Sequence, residues 1–239
     1  MKKFLMMLGL LGGLKGVAQE KMNDPNVEKR DVKSFHAIKI SNAFDVYINQ
    51  GNEEAVAVSA SELQYRDHIK TTVENGVLKI WFENEKKFWR GFNGNKMKLK
   101  AYISFKDIDA LDINGACDVE VVGTLKADKL DVDLSGASDL KGAFEIKDFT
   151  VKLSGASDMK ISGKADKTKI DVSGASEFKG YDLSTDYCNA EASGASGVQI
   201  TVNRELSARA SGASGVGYKG EGVIRDIKTS GASSISKKS

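Results

Sequence analysis

The chain has 239 residues, of which 41% are hydrophobic and 28% charged, enough to bury a continuous core in one or two domains. Its 35 basic and 33 acidic side chains are interspersed and give a formal charge of only +2, which leaves no electrostatic footprint for nucleic acid. No stretch is long and apolar enough to be a membrane span, which needs about 20 residues.

Residues 1–18 read as a secretory signal peptide. Lys2 and Lys3 form the basic start, residues 4–14 the apolar run, and Gly16, Val17 and Ala18 a small-x-small cleavage site. The mature chain is expected to begin near Gln19. Loss of Lys2, Lys3 and Lys15 leaves 32 basic residues against 33 acidic ones, a net charge of −1. No cysteine follows the cleavage site to accept a lipid, so the expected product is exported, to the periplasm, the outer surface or the extracellular space. Residues 19–34 are polar, contain the only proline, Pro25, and are expected to form a flexible lead-in.

Residues 35–106 are less regular than the C-terminal half of the chain. Asn42-Ala43-Phe44-Asp45-Val46 echoes Gly115-Ala116-Cys117-Asp118-Val119 and predicts an early coil of the same kind. Strands are predicted over 55–60, 77–82 and 97–105, the second after an Asn75-Gly76 dipeptide typical of a hairpin turn. The segment is expected to cap one end of a β-stack, because an open end exposes core and unpaired strand edges.

Residues 107–236 are repetitive. Ser-Gly-Ala-Ser begins at Ser135, Ser154, Ser173, Ser193, Ser211 and Ser230, with a degenerate Asn-Gly-Ala-Cys at Asn114. Its glycines, Gly115, Gly136, Gly155, Gly174, Gly194, Gly212 and Gly231, succeed one another at intervals of 21, 19, 19, 20, 18 and 19 residues. Such a period marks a solenoid, in which each repeat buries its apolar face only against its neighbours. Before each tetrapeptide the pattern is apolar, polar, apolar, as in Leu111-Asp112-Ile113 and Val132-Asp133-Leu134, the alternation of a strand with one buried face. A second apolar column lies at Val119, Leu140, Met159, Phe178, Val198, Val216 and Ile235. Each coil is thus a strand, a small-residue corner, a second strand and a Gly- or Asp-containing return. A corner that bends tightly in every coil needs small side chains in every coil, so packing explains the repeat.

Two cysteines in an exported chain invite a disulfide. Cys117 and Cys188 are separated by three to four coils at about 4.8 Å each, beyond the ~7 Å that a disulfide spans. Both are read as small core or corner residues.

With its leader, its short-period Gly-Ala-Ser coils and the opening Phe35-His36-Ala37-Ile38-Lys39-Ile40 and Phe44-Asp45-Val46-Tyr47-Ile48, the chain resembles the auto-transporter adhesin head domain, or head GIN domain, formerly catalogued as a domain of unknown function. The resemblance covers residues 35–235. It implies a right-handed parallel β-helix, related in architecture to pectin-lyase-like folds, and with the spacing and the irregular N-terminal segment the expected fold is all-β, with coils of about 19 residues and an N-terminal strand-rich cap. It also implies a role in cell adhesion in Bacteroidetes-like bacteria. A trimeric auto-transporter anchors through a C-terminal barrel segment, whereas Ser236-Lys237-Lys238-Ser239 comes directly after the last coil, so attachment by that route is not expected.

Candidate chemistry is sparse. A serine nucleophile needs a positioned base, and His36 and His68, the only histidines, lie away from the repeats. Asp118, Asp139, Asp158 and Glu177 come after the first four corners and stack in register, which is destabilising for like charges. Lys141, Lys160 and Lys179, two positions further on, are expected to compensate three of them. The Gly-Gly-x-Gly-x-Asp nonapeptide of calcium-binding rolls is absent, and neither a metal nor a cofactor is expected. Glycan cleavage requires paired carboxylates or a positioned base, and no such constellation stands out. The most distinctive local feature is residues 86–96, where Phe88, Trp89, Arg90 and Phe92 sit among lysines, glycines and asparagines. Aromatics in that setting stack on sugar rings or anchor a protein; the competing reading is that they fold over the open end of the solenoid. The sequence therefore predicts a non-enzymatic adhesin or surface-binding module whose partner is a surface glycan or protein. The alternatives are a self-associating envelope protein and a pectin-lyase-like enzyme.

Overall fold

A computed structural model describes residues 24–83 and 97–239. Strands β1 (Glu28–Arg30), β2 (Ala37–Asn42), β3 (Phe44–Gln50) and β4 (Ala55–Ala60) precede a four-residue helix, α1 (Leu63–Arg66). Next come β5 (Ile69–Glu74), β6 (Val77–Phe82), β7 (Leu99–Phe105) and β8 (Ala110–Gly115). The regular part consists of β9 (Asp118–Gly136), β10 (Asp139–Leu153), β11 (Asp158–Val172), β12 (Glu177–Ala192) and β13 (Gly197–Ala210), then β14 (Gly215–Lys219), β15 (Val223–Thr229) and β16 (Ser234–Lys237). The architecture is a β-solenoid of about seven turns.

Parallel in-register pairing builds the stack. The half of each long strand before a corner pairs with the equivalent half in the next coil, placing Leu111, Val132, Val151, Ile170, Ala190 and Ala208 in one inward column. The half after the corner does the same for Val119, Leu140, Met159, Phe178, Val198 and Val216. All twelve are buried and belong to one core, so the gain of about 1.5–3 kcal/mol per large buried side chain is repeated coil after coil. From β9 to β13 the return between two corners is continuous strand. Bulges such as that between Lys141 and Ala143 bend it without breaking the ladder.

Space and chain order part company in the N-terminal region. The early coil exists: β2 lies on β8, with Asn42 opposite Gly115, and β3 lies on β9, with Val46 opposite Val119. On its other side this coil is covered by β6 and β7, which are later in the chain and run parallel to β2 and β3. The cap is then finished by antiparallel strands, β5 on β6, β4 on β7 and β1 on β4. Asn75 (φ +52°) and Gly76 (φ +75°) form the predicted hairpin turn between Glu74 and Val77. The lead-in, expected to be flexible through residue 34, is tied down from Asp24 onward. There β1 pairs with β4, Lys100 pairs with Asp24 at 3.5 Å, and Val27 packs against the cluster of Ala55, Ala57 and Tyr102. The physical reason is edge coverage: without β1 the outer edge of β4 would be unpaired.

Candidate ligand-binding face

The corners are structural. Each corner glycine has positive φ, from +72° to +106°, and a Cβ on Gly212 or Gly231 would sit 2.8 or 2.9 Å from the carbonyl oxygen of the corner glycine below. The fourth-position serines point inward rather than out. Ser138, Ser157, Ser176, Ser196 and Ser214 are at most 5% exposed. Ser157 Oγ donates to the Ser154 carbonyl at 3.1 Å and accepts the Ser138 N–H at 3.4 Å, while the Ser157 N–H reaches Ser176 Oγ at 3.1 Å. Cys117 holds the same place at the start of this ladder, its N–H donating to Ser138 Oγ at 3.3 Å. The fourth-position serines thus satisfy backbone groups inside the wall.

Both cysteines are free and buried. Burial pushes the Cys188 thiol up to about 12 and raises that of Cys117 as well. His36 Nδ1 lies 3.0 Å from Asp109 Oδ1, and that hydrogen bond and charge raise its pKa above 6.5. His68 packs against Phe82 with ring centroids 5.9 Å apart.

The acidic column is longer than the sequence suggested, since Asp45 stacks on Asp118, which stacks on Asp139, Asp158 and Glu177. Of the three expected lysines, only Lys179 bridges it, at 2.7 Å from Asp158 and 3.1 Å from Glu177. Lys141 turns to Glu120 instead, at 3.4 Å. Partial burial, then Asp118 and Asp158, therefore raise the pKa of Asp139. Among the described residues, no group of three His, Cys, Asp or Glu is placed to hold a metal ion, and no helix is long and apolar enough to cross a membrane.

Phe88, Trp89, Arg90 and Phe92 lie outside the described residues. In chain order, residues 83–98 join β6 to β7, at a place where the later coils turn in two to four residues. One aromatic not singled out by its sequence stands on the regular coils. Tyr187, 38% exposed, lines an open groove of about 360 Å³ on the sheet formed by the strand halves that precede the corners. Its column reads Asp148, Lys167, Tyr187, Glu205, and the neighbouring column Thr150, Lys169, Asn189, Ser207. Arg204 lies over the Tyr187 ring at 6.0 Å, held by Asp186 at 3.0 Å. The signal available beforehand was an aromatic at an outward position that neighbouring coils fill with Lys129, Asp148, Lys167 and Glu205. A larger groove of about 980 Å³ passes His36 and Asp109, but its walls are ion pairs such as Lys126–Glu145 at 2.6 Å and Lys147–Asp128 at 2.7 Å.

Comparison with solved structures finds the same fold. A putative adhesin from Bacteroides fragilis aligns with TM-score 0.79 at 19% identity, over 89% of this chain and 96% of that one. A putative adhesin from Parabacteroides distasonis aligns at 0.69 and 16%, over 89% and 96%. A putative lipid binding protein from the same species aligns at 0.66 and 20%, over 91% and 98%. At these identities the likeness is one of fold. No curated protein matches the chain. The model of the family described as "Putative auto-transporter adhesin, head GIN domain" matches residues 34–222, most of the chain, and the protein belongs to that family.

Proposed function

We propose that the protein is an exported, non-enzymatic adhesin: a rigid rod whose flat outer sheet binds a glycan or protein at a surface. The observation that carries this reading is the groove at Tyr187, where an exposed aromatic and polar side chains converge on an otherwise ion-paired face. The leader pattern of residues 1–18 supports export, and the family supports adhesion. Phe88, Trp89, Arg90 and Phe92 form a second candidate contact, or a cover for the β6–β7 end of the stack.

The test is binding of the chain from Gln19 onward to an array of glycans and matrix proteins, alongside a Phe88/Trp89/Phe92→Ala variant of confirmed fold. Saturable binding without turnover supports the adhesin. Binding lost in the triple variant places the contact at residues 88–92; cleavage of an arrayed glycan gives the role to an enzyme instead.

Self-association is favoured by a separate observation. Val223, Ile224 and Ile227 on β15 are 61%, 45% and 38% exposed, and among the described residues β15 pairs on one side only, with β13. Sedimentation mass that rises with concentration and falls for Val223→Lys/Ile227→Lys would establish it.

A further inference from the structure

We infer that the Tyr187 groove is a saccharide-binding site for an extended, neutral, β-linked polysaccharide running along the solenoid axis. The inference rests on the adhesin reading and names its ligand class and site.

Three features of the groove carry it. Tyr187 and Asn189 are two residues apart on one strand, so they share its outward face at a separation of about 6.6 Å. This sets an aromatic surface beside an amide that both donates and accepts, the pair of contacts that a sugar ring with apolar faces and hydroxyl edges satisfies. The second feature is the ledge formed by Thr150, Lys169, Asn189 and Ser207. They occupy four successive rungs of one column, and none is engaged in a side-chain hydrogen bond or ion pair among the described residues. Rungs recur every ~4.8 Å, close to the length that one sugar unit adds to an extended β-linked chain. A polysaccharide laid along the axis therefore meets one hydrogen-bonding side chain per sugar, while a ring at the third rung packs against Tyr187.

The third feature is charge, which selects a neutral ligand. Most ionised groups around the ledge are already used: Arg204 by Asp186 at 3.0 Å, Arg209 by Glu191 at 3.3 Å, and Glu205 by Arg225 at 2.6 Å, while Lys152 and Asp171, of opposite sign, stack on adjacent rungs of the next column. Asp148 and Lys167 face each other at 3.9 Å. On the ledge itself the ammonium of Lys169 remains, too little to draw a polyanion and well suited to donate to hydroxyls. Arg204, pinned by Asp186 over one side of the ring, holds Tyr187 in place and lowers the ordering cost of stacking.

The experiment is affinity electrophoresis of the chain from Gln19 onward through gels containing β-glucan, β-mannan or xylan, with calorimetry on oligosaccharides of increasing length. Retardation by at least one neutral polysaccharide is expected, with affinity rising to about four sugar units, the reach of four rungs, and then levelling. Tyr187→Ala, an outward substitution whose fold is checked by circular dichroism, should weaken binding about ten-fold, the scale of a lost aromatic stacking contact. Asn189→Ala should weaken it several-fold, and Lys164→Ala, in the His36 groove, should leave it unchanged. Binding that survives Tyr187→Ala overturns the site. Binding only to polyanions, with strong salt dependence, overturns the ligand class. Protein ligands bound on the array without any polysaccharide would leave the adhesin standing and the glycan assignment lost; no ligand of either kind would remove both.

Discussion

Asn42 and Gly115 occupy the same corner position one coil apart: they are Cα partners, and both have positive φ, +85° and +106°. At Asn42 the side chain is in use, its Oδ1 accepting the Phe82 N–H at 3.0 Å. A Cβ on Gly115 would instead drive into the Asn42 carbonyl. The corner glycines are therefore required twice, for conformation and for space.

This separates two kinds of glycine. Gly155→Ala meets the Gly136 carbonyl and should cost about 3 kcal/mol or more of unfolding free energy. Gly123 also has positive φ, +79°, but a Cβ there meets nothing within 4 Å, so Gly123→Ala should cost only about 1 kcal/mol. Urea denaturation midpoints of the two variants distinguish the contributions.

The serine ladder predicts a directional result. Ser157→Ala leaves the Ser138 N–H and the Ser154 carbonyl without their partner inside the wall, a loss of about 1–3 kcal/mol. Cys117→Ser restores the ladder residue at the first corner and should be neutral or stabilising. Chemical denaturation of both variants gives the comparison.

Buried thiols predict a reactivity pattern. With Cys188 raised to about 12 and Cys117 raised too, neither forms thiolate at neutral pH, and the native protein should not react with a disulfide-exchange reagent. Two thiols should titrate after denaturation.

Titration reads the surface columns. His36 owes its raised pKa to Asp109, so Asp109→Asn should return its NMR titration to about 6.5. Because the folded value is the higher one, the pair's contribution is complete below 6.5 and is lost as pH rises through the folded value. Asp139 behaves oppositely to a salt-bridged carboxylate. Its raised pKa makes its charge unfavourable in the folded state, so its contribution improves as pH falls from above the folded value. Asp139→Asn should therefore stabilise at pH 7 by a few tenths of a kcal/mol, less in high salt.

Much of this molecule was legible in one dimension. Each coil repeats the last, so spacing alone located Gly115 through Gly231, the inward columns and the separation of the two cysteines. A residue that stacks on its own equivalent shows its environment by recurrence, and the echo at Asn42 was enough to reveal the early coil. Recurrence cannot report what happens once. The placing of β6 and β7 beneath β2 and β3 was decided by which strand edges remained to be covered, and chain order is silent on that. The direction of the serines was hidden because a small polar residue suits a corner facing either way; the unpaired backbone groups within the wall turned them inward. Tyr187 became a candidate site only when four coils, each ordinary in sequence, were stacked to place it beside Asn189 and the ledge. Sequence periodicity determined the coil, and the stacking of coils decided which side chains meet.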